Sequence, residues 1–295
     1  MVKTIGNPLS WAAGAMIGAG ESAGDVAAAL GGKRETSPPE TRPITTADIR
    51  AALTKGAEDF AVLRSDVIFL VAIYPLIGVG LALMAFDTAR LPLLFPLMAG
   101  FTLLGPVAAI GLYEMSRRRE AGTGAGWSDA LGVLRADILA PVLALAVYLL
   151  ALFLAWMFAA NWVYNITLGP EPPASALAFL TDLLTTGAGW AMIVLGFGLG
   201  FVFAVAVLVV SLISFPMLVD RRAGLPVAVM TSVKVARQSP RTVAQWGVLV
   251  AVALALGMLP AMLGLVVVLP VLGHATWHLY RAAVPNAAPG DENAG

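Results

Sequence analysis

The only two histidines of the chain, His274 and His278, stand four residues apart, which puts both imidazoles on one helix face. That spacing suits a transition metal or a haem iron. The chain has no cysteine, so further ligands would have to be carboxylates such as Glu114 or Asp220. A haem–copper catalytic core needs many more histidines than two, and this chain cannot be one. The competing and expected reading is structural. With Trp277 and Tyr280, the pair forms an aromatic, amphipathic belt at the cytoplasmic membrane interface, where such rings are favoured. His274 and His278 remain the metal candidates to test.

A second group of residues recurs three times. Arg64 precedes Asp66, Arg135 precedes Asp137, and Arg237 precedes Ser239, each pair two residues apart. Asp, Asp and Ser are good helix N-caps, and Pro240 follows Ser239 at the favoured first helical position. A ligand or gating site at the cytoplasmic rim is one reading. Caps at Asp66, Asp137 and Ser239, with interfacial basic residues Arg64, Arg135 and Arg237 reaching lipid phosphates, is the expected one. Asp48, Glu58, Asp59 and Asp129 read as charges on solvated helix faces. No paired carboxylates, Ser-His-Asp set or phosphate loop can be assembled, so no enzyme and no cofactor are expected. Gly196-Phe-Gly-Leu-Gly200 lies deep in an apolar block, where close helix packing accounts for it better than a nucleotide loop.

The elements that would carry these residues are membrane helices. Of 295 residues, 59% are hydrophobic and 12% charged, about half the usual charged share. The formal net charge is zero, which gives no field to attract nucleic acid. Residues 1–43 read as a disordered cytoplasmic tail and 285–295 as a second one. Between them, over 44–284, lie uncharged blocks near 67–86, 91–113, 138–164, 188–217 and 243–280. A span needs about 20 apolar residues. The last block is too long for one, and Gly257-Met-Leu-Pro-Ala-Met-Leu-Gly264 divides it near 243–259 and 262–281. The expectation is an all-α, six-helix polytopic membrane protein. Its three units, about 44–113, 118–217 and 220–284, each consist of an interfacial helix (near 46–63, 126–135 and 226–238), a sharp turn at the cap, and a transmembrane hairpin. Pro75, Pro106, Pro216 and Pro270 would interrupt the spans. Every Lys and Arg except Arg90 falls on one side of this scheme, so positive-inside counting places both termini in the cytoplasm of a bacterial inner membrane.

Four segments carry a resemblance: Met1-Val-Lys-Thr-Ile-Gly-Asn-Pro-Leu-Ser-Trp11, Asp66-Val-Ile-Phe-Leu-Val71, Gly169-Pro-Glu-Pro-Pro-Ala174 and Gly273-His-Ala-Thr-Trp-His-Leu-Tyr-Arg281. Together they are similar to a family of predicted proteobacterial integral membrane proteins of unknown function, some of whose members bear a label tying them to cytochrome oxidase. The resemblance implies an inner-membrane protein without an established activity. The functional expectation is a non-catalytic accessory, scaffold or assembly protein, with respiratory-complex maturation as one setting. Its partners would be the lipid bilayer and other membrane proteins. A small-molecule or lipid permease is the alternative.

Overall fold

In the computed structural model the described residues are 38–71, 80, 83, 90–103, 105–123, 126, 133, 136–221, 223–259 and 263–285. All regular structure among them is helical. In chain order the helices are α1 (Thr46–Val71), α2 (Leu94–Leu103, entered by a 3-10 turn over Leu91–Leu93), α3 (Gly105–Ala108), α4 (Ile110–Glu120), α5 (Ala136–Thr167), α6 (Ala176–Thr185), α7 (Gly187–Ser211), α8 (Ser214–Arg221), α9 (Leu225–Gln238), α10 (Pro240–Met258) and α11 (Leu265–Ala283). Four stretches among the described residues are long and apolar enough to cross a membrane: Leu91–Glu120, Ile138–Thr167, Gly187–Arg221 and Pro240–Met258. The first expected span, 67–86, and the interfacial stretch 126–135 lie mostly outside the described residues.

The last block divides as its glycines and proline dictate. Helices α10 and α11 flank a short turn, closed by Gly264 against Gly257, where a Cβ on Gly264 would lie 2.8 Å from the Gly257 Cα and carbonyl oxygen. Pro270 sits inside an unbroken α11, and Pro141 inside an unbroken α5. The chain breaks instead at Leu212–Ile213, where Ser232 Oγ from α9 accepts from Ile213 N and donates to the Val209 carbonyl. That hydroxyl satisfies main-chain groups a helix interruption would otherwise leave orphaned in an apolar setting.

The three expected caps fare differently. At Ser239 the chain leaves helical geometry between α9 and α10, as expected. Its hydroxyl does not cap α10, however; it accepts from Ile44 N at 2.9 Å. Asp66 is no cap at all, since α1 runs without a break from Thr46 to Val71 and carries the sequence through the expected turn. Helix α5 starts at Ala136, placing Asp137 one position inside its first turn. Among the described residues, the sharp corner between interfacial helix and hairpin is seen in the third unit. In the first, α1 continues through Asp66 to Val71 without a corner, because Arg64, Ser65 and Asp66 are compatible with helix and no proline forces an exit.

Residues 38–45 are not a loose tail. Arg42 N donates to the Ala283 carbonyl at 2.9 Å, Thr41 Oγ1 to Gln238 Oε1 at 2.9 Å, and Thr242 Oγ1 to the Ile44 carbonyl at 3.0 Å. Thr45 and Asp48 then start α1 with a reciprocal capping box. Thr45 N donates to Asp48 Oδ2 at 2.8 Å and Asp48 N to Thr45 Oγ1 at 3.3 Å. This strap seats α1 against α11, and the two helices run antiparallel in close contact. Gly56 makes the approach feasible, because a Cβ there would fall 2.6 Å from Ala275 N and 2.8 Å from the Val271 carbonyl oxygen.

Candidate functional site

Around Gly56 the helices are close enough for polar side chains to meet across three elements. Asp59 of α1, only 4% exposed, is the hub. Its Oδ2 accepts from Ser116 Oγ of α4 at 2.6 Å and from His278 Nε2 of α11 at 3.0 Å. Its Oδ1 accepts from the Arg119 guanidinium of α4. Ser116 Oγ also lies 2.7 Å from His274 Nδ1. The proton count follows: a hydroxyl donates only once, so while Ser116 donates to Asp59, His274 must donate to Ser116 from Nδ1.

A collar of ion pairs surrounds this hub. Glu114 accepts from Arg117 Nε at 2.7 Å and Arg118 Nε at 2.8 Å. Glu120 accepts from Trp277 Nε1 at 3.0 Å and Arg281 Nε at 3.2 Å. Asp220 accepts from Tyr280 at 2.7 Å and Arg281 NH1 at 3.4 Å. The collar ties α4, α8 and α11 together at the ends where the triple arginine and the last helix leave the bundle.

Two sequence expectations need correction here. Asp59 is not on a solvated face but at the centre of a closed network. His274, Trp277 and Tyr280 are not an interfacial belt; each is almost wholly inside the protein. They are aromatic because they fill the space between α4, α8 and α11 while each polar tip finds a partner or a protein-filled pocket. The reason sequence reasoning missed Asp59 is that an amphipathic helix can hide a polar face as readily as an apolar one when its neighbour is polar at the same level. Gly56, three residues earlier, was the available signal of close approach.

The arrangement does not fit a metal or haem. Both His278 Nε2 and Asp59 Oδ2 are committed to each other, and Arg119 places a fixed positive charge on the same carboxylate, where a cation would sit. No group of three His, Asp or Glu among the described residues is arranged to hold a metal ion. Of the repeated residues, Ser239 joins the strap and Arg237 is exposed in the last turn of α9, a favourable end for a cation. The side chains of Arg64, Asp66, Arg135 and Asp137, and all of Asp129, lie outside the described residues.

Burial works to raise the Asp59 pKa, but the hydrogen bonds from His278 and Ser116 and the charges of the two histidines outweigh it, and the net shift is downward. Asp48 is lowered in the same way, burial being outweighed by Arg42 and Thr45. A carboxyl with a folded-state pKa below its unfolded value of about 3.9 stabilises the fold above that pH. The stabilisation is lost as pH falls through the folded-state pKa. Thermal unfolding in detergent is therefore expected to show a midpoint that drops steeply below about pH 4. An Asp59→Asn variant should show a flatter acid limb, and an acid limb identical to that of the parent would refute the assignment.

Compared with known proteins, residues 94–220 match the family described as predicted integral membrane protein (DUF2189). The resemblance read from the sequence motifs thus holds over that segment, α2 through α8, and the chain is an integral membrane protein. Ser116, Arg119 and Asp220 fall inside the matched segment, whereas Asp59, His274 and His278 fall outside it. A search of curated proteins and of solved structures finds no match.

Proposed function

We propose that this protein is a non-catalytic accessory or scaffold protein of the bacterial inner membrane, with both termini cytoplasmic. It would hold partner membrane proteins through the outward faces of its spans, and the maturation of a respiratory complex is one setting that suits it. The observation that carries the reading is on α7. Phe197, Phe201, Val194 and Val202 are exposed, and between them a Cβ on Gly196 or Gly198 would meet nothing within 4 Å. In lipid, small residues on an open face allow another helix to approach closely, and van der Waals contact then drives association. Gly200, by contrast, is used inside the chain, against Trp156 at 3.4 Å. The polar groups, meanwhile, are spent on one another in the Asp59 hub and its collar, which is what a structural clasp needs and a reaction centre does not.

The orientation rests on the asymmetric Lys and Arg and on the clasp, which gathers Arg117, Arg118, Arg119 and Arg281 at one end of the bundle. Tagged protein extracted from native membranes in mild detergent is expected to carry a defined membrane partner in fixed stoichiometry. Gly196→Leu and Gly198→Leu, at positions where an added Cβ meets no atom of this chain within 4 Å, should not lower the unfolding midpoint and should cut that partner's recovery about tenfold. A chain that purifies alone, or a partner indifferent to both substitutions, would sink the reading.

A further inference from the structure

We infer that the last hairpin, α10 and α11, is re-entrant: it dips into the acyl-chain region from the cytoplasmic side and turns back at Leu259–Gly264 without reaching the far face. The direction of entry rests on the orientation proposed above. The depth rests on two separate measurements along the helices.

The first is against α7. A Cβ on Gly247 would lie 2.7 Å from Leu208 Cδ2, so α10 passes α7 at that level. At about 1.5 Å per residue, α7 extends about 32 Å from Leu208 to its outer end at Gly187, while α10 extends only about 18 Å from Gly247 to Leu259. Laid along parallel axes from that contact, the turn stops about 14 Å below the outer end of α7. The second is against the Asp59 hub. From Leu265 to His274, α11 covers about 14 Å before it reaches a level shared with the Arg119 guanidinium and, on α1, with the exposed Lys55 and Glu58. Exposed charges of this kind belong at headgroups or in water. Both measurements leave the hairpin well short of the roughly 30 Å that a full crossing requires.

The chemistry of the tip agrees. Leu259 is 78% and Leu263 63% exposed, and the sequence between them, Pro260-Ala261-Met262, contains no polar residue. A turn placed in water would leave both of these large apolar side chains hydrated. The end of α5 and its connection to α6 are built differently, with Asn165 and Thr167 in the last turn of α5 and Glu171 and Ser175 beyond it. The apolar ridge continues down both arms of the hairpin through Val248, Val252 and Leu256 of α10 and Val267 of α11. Beyond the turn, Val267 N and Val268 N both donate to the Gly264 carbonyl, at 3.1 and 3.0 Å, so main-chain donors remain paired where water is scarce. The occupant of this surface is the lipid acyl chain.

Because the chain has no cysteine, single-cysteine variants report without background. Leu263→Cys and Leu259→Cys would be compared with Glu171→Cys in intact cells, using a membrane-impermeant maleimide. Nitroxide-labelled protein would then be placed in phosphatidylcholine–phosphatidylglycerol liposomes. Glu171→Cys is expected to react from outside, while both tip variants react less than a tenth as fast. At the tip, nitroxide collisions with oxygen should exceed those with a water-soluble nickel chelate. Tip cysteines that react from outside as fast as Glu171→Cys would overturn the inference. So would a nitroxide shielded from oxygen and nickel alike, since protein would then cover the turn. Reaction of Glu171→Cys from the cytoplasmic face alone would overturn the proposed orientation instead, and leave the depth to be judged by the nitroxide.

Discussion

Replacing Asp59 by asparagine is expected to lower stability by about 3 kcal/mol, a large share of what a membrane bundle of this size can lose. Removing one partner from a buried ion pair typically costs about 3–5 kcal/mol, because the other partner stays desolvated and unpaired. The lower end of that range applies here, since the Arg119 side chain is 35% exposed and can recover hydration. The loss is not only Coulombic. An amide offers one acceptor oxygen and presents donors to whatever faces its nitrogen, so Ser116, His278 and Arg119 cannot all be satisfied. Helix α1 should loosen from α11, and the strap over residues 38–45 should become the first site cut by a protease. The measurement is a pair of unfolding midpoints in matched detergent, with cleavage of the strap followed in parallel. Glu58→Gln, on the exposed side of the same helix, is the control; equal behaviour of the two variants would show that the hub does not hold α1.

Gly56→Ala tests the same contact from its backbone side, with the larger steric certainty. In an open helix this change gains about 1 kcal/mol, since alanine has the better helix propensity. At Gly56 the added methyl would lie 2.6 Å from Ala275 N and 2.8 Å from both Ala275 Cβ and the Val271 carbonyl oxygen. Two of those three atoms are main chain and cannot rotate away. Overpacking typically costs about 1–3 kcal/mol, and backbone atoms leave α1 no way to accommodate except by moving off α11. The net effect should therefore be destabilising, with Gly56→Val worse than Gly56→Ala. Gly196→Ala provides the opposite sign, because its methyl meets nothing within 4 Å and keeps the propensity gain. If Gly56→Ala raised the unfolding midpoint as Gly196→Ala should, the tight crossing of α1 and α11 would be wrong.

These two residues also show where sequence reasoning reached and where it stopped. The helical class, the apolar blocks from 91 onward, the break between α10 and α11, and the corner at Ser239 were all legible. Each is written locally, in runs without charge or in a Gly–Pro or Ser–Pro pair. The hub was not. Asp59 pairs with His278 across 219 positions of sequence, and nothing near either residue announces the other. Periodicity identifies two faces of α1 but cannot say which of them a neighbour covers. The histidines at i, i+4 were correctly singled out for sharing a face. Their purpose emerged only when α4 supplied Ser116 and Arg119 to that face. Asp66 shows the converse error, in which good capping chemistry was read as a cap although nothing around it breaks the helix.

The antiparallel pairing of α1 with α11 carries a cost in time. The first of the described helices has its partner in the last of them, and at about 5–20 residues per second the wait between Asp59 and His278 is about 10–45 s. Throughout that interval a carboxylate meant for a five-residue network has no histidine to meet. Nascent α1 must be kept from settling elsewhere until synthesis is complete, so pulse-labelled chains truncated before residue 265 should bind insertion factors or be degraded, while full-length chains are released.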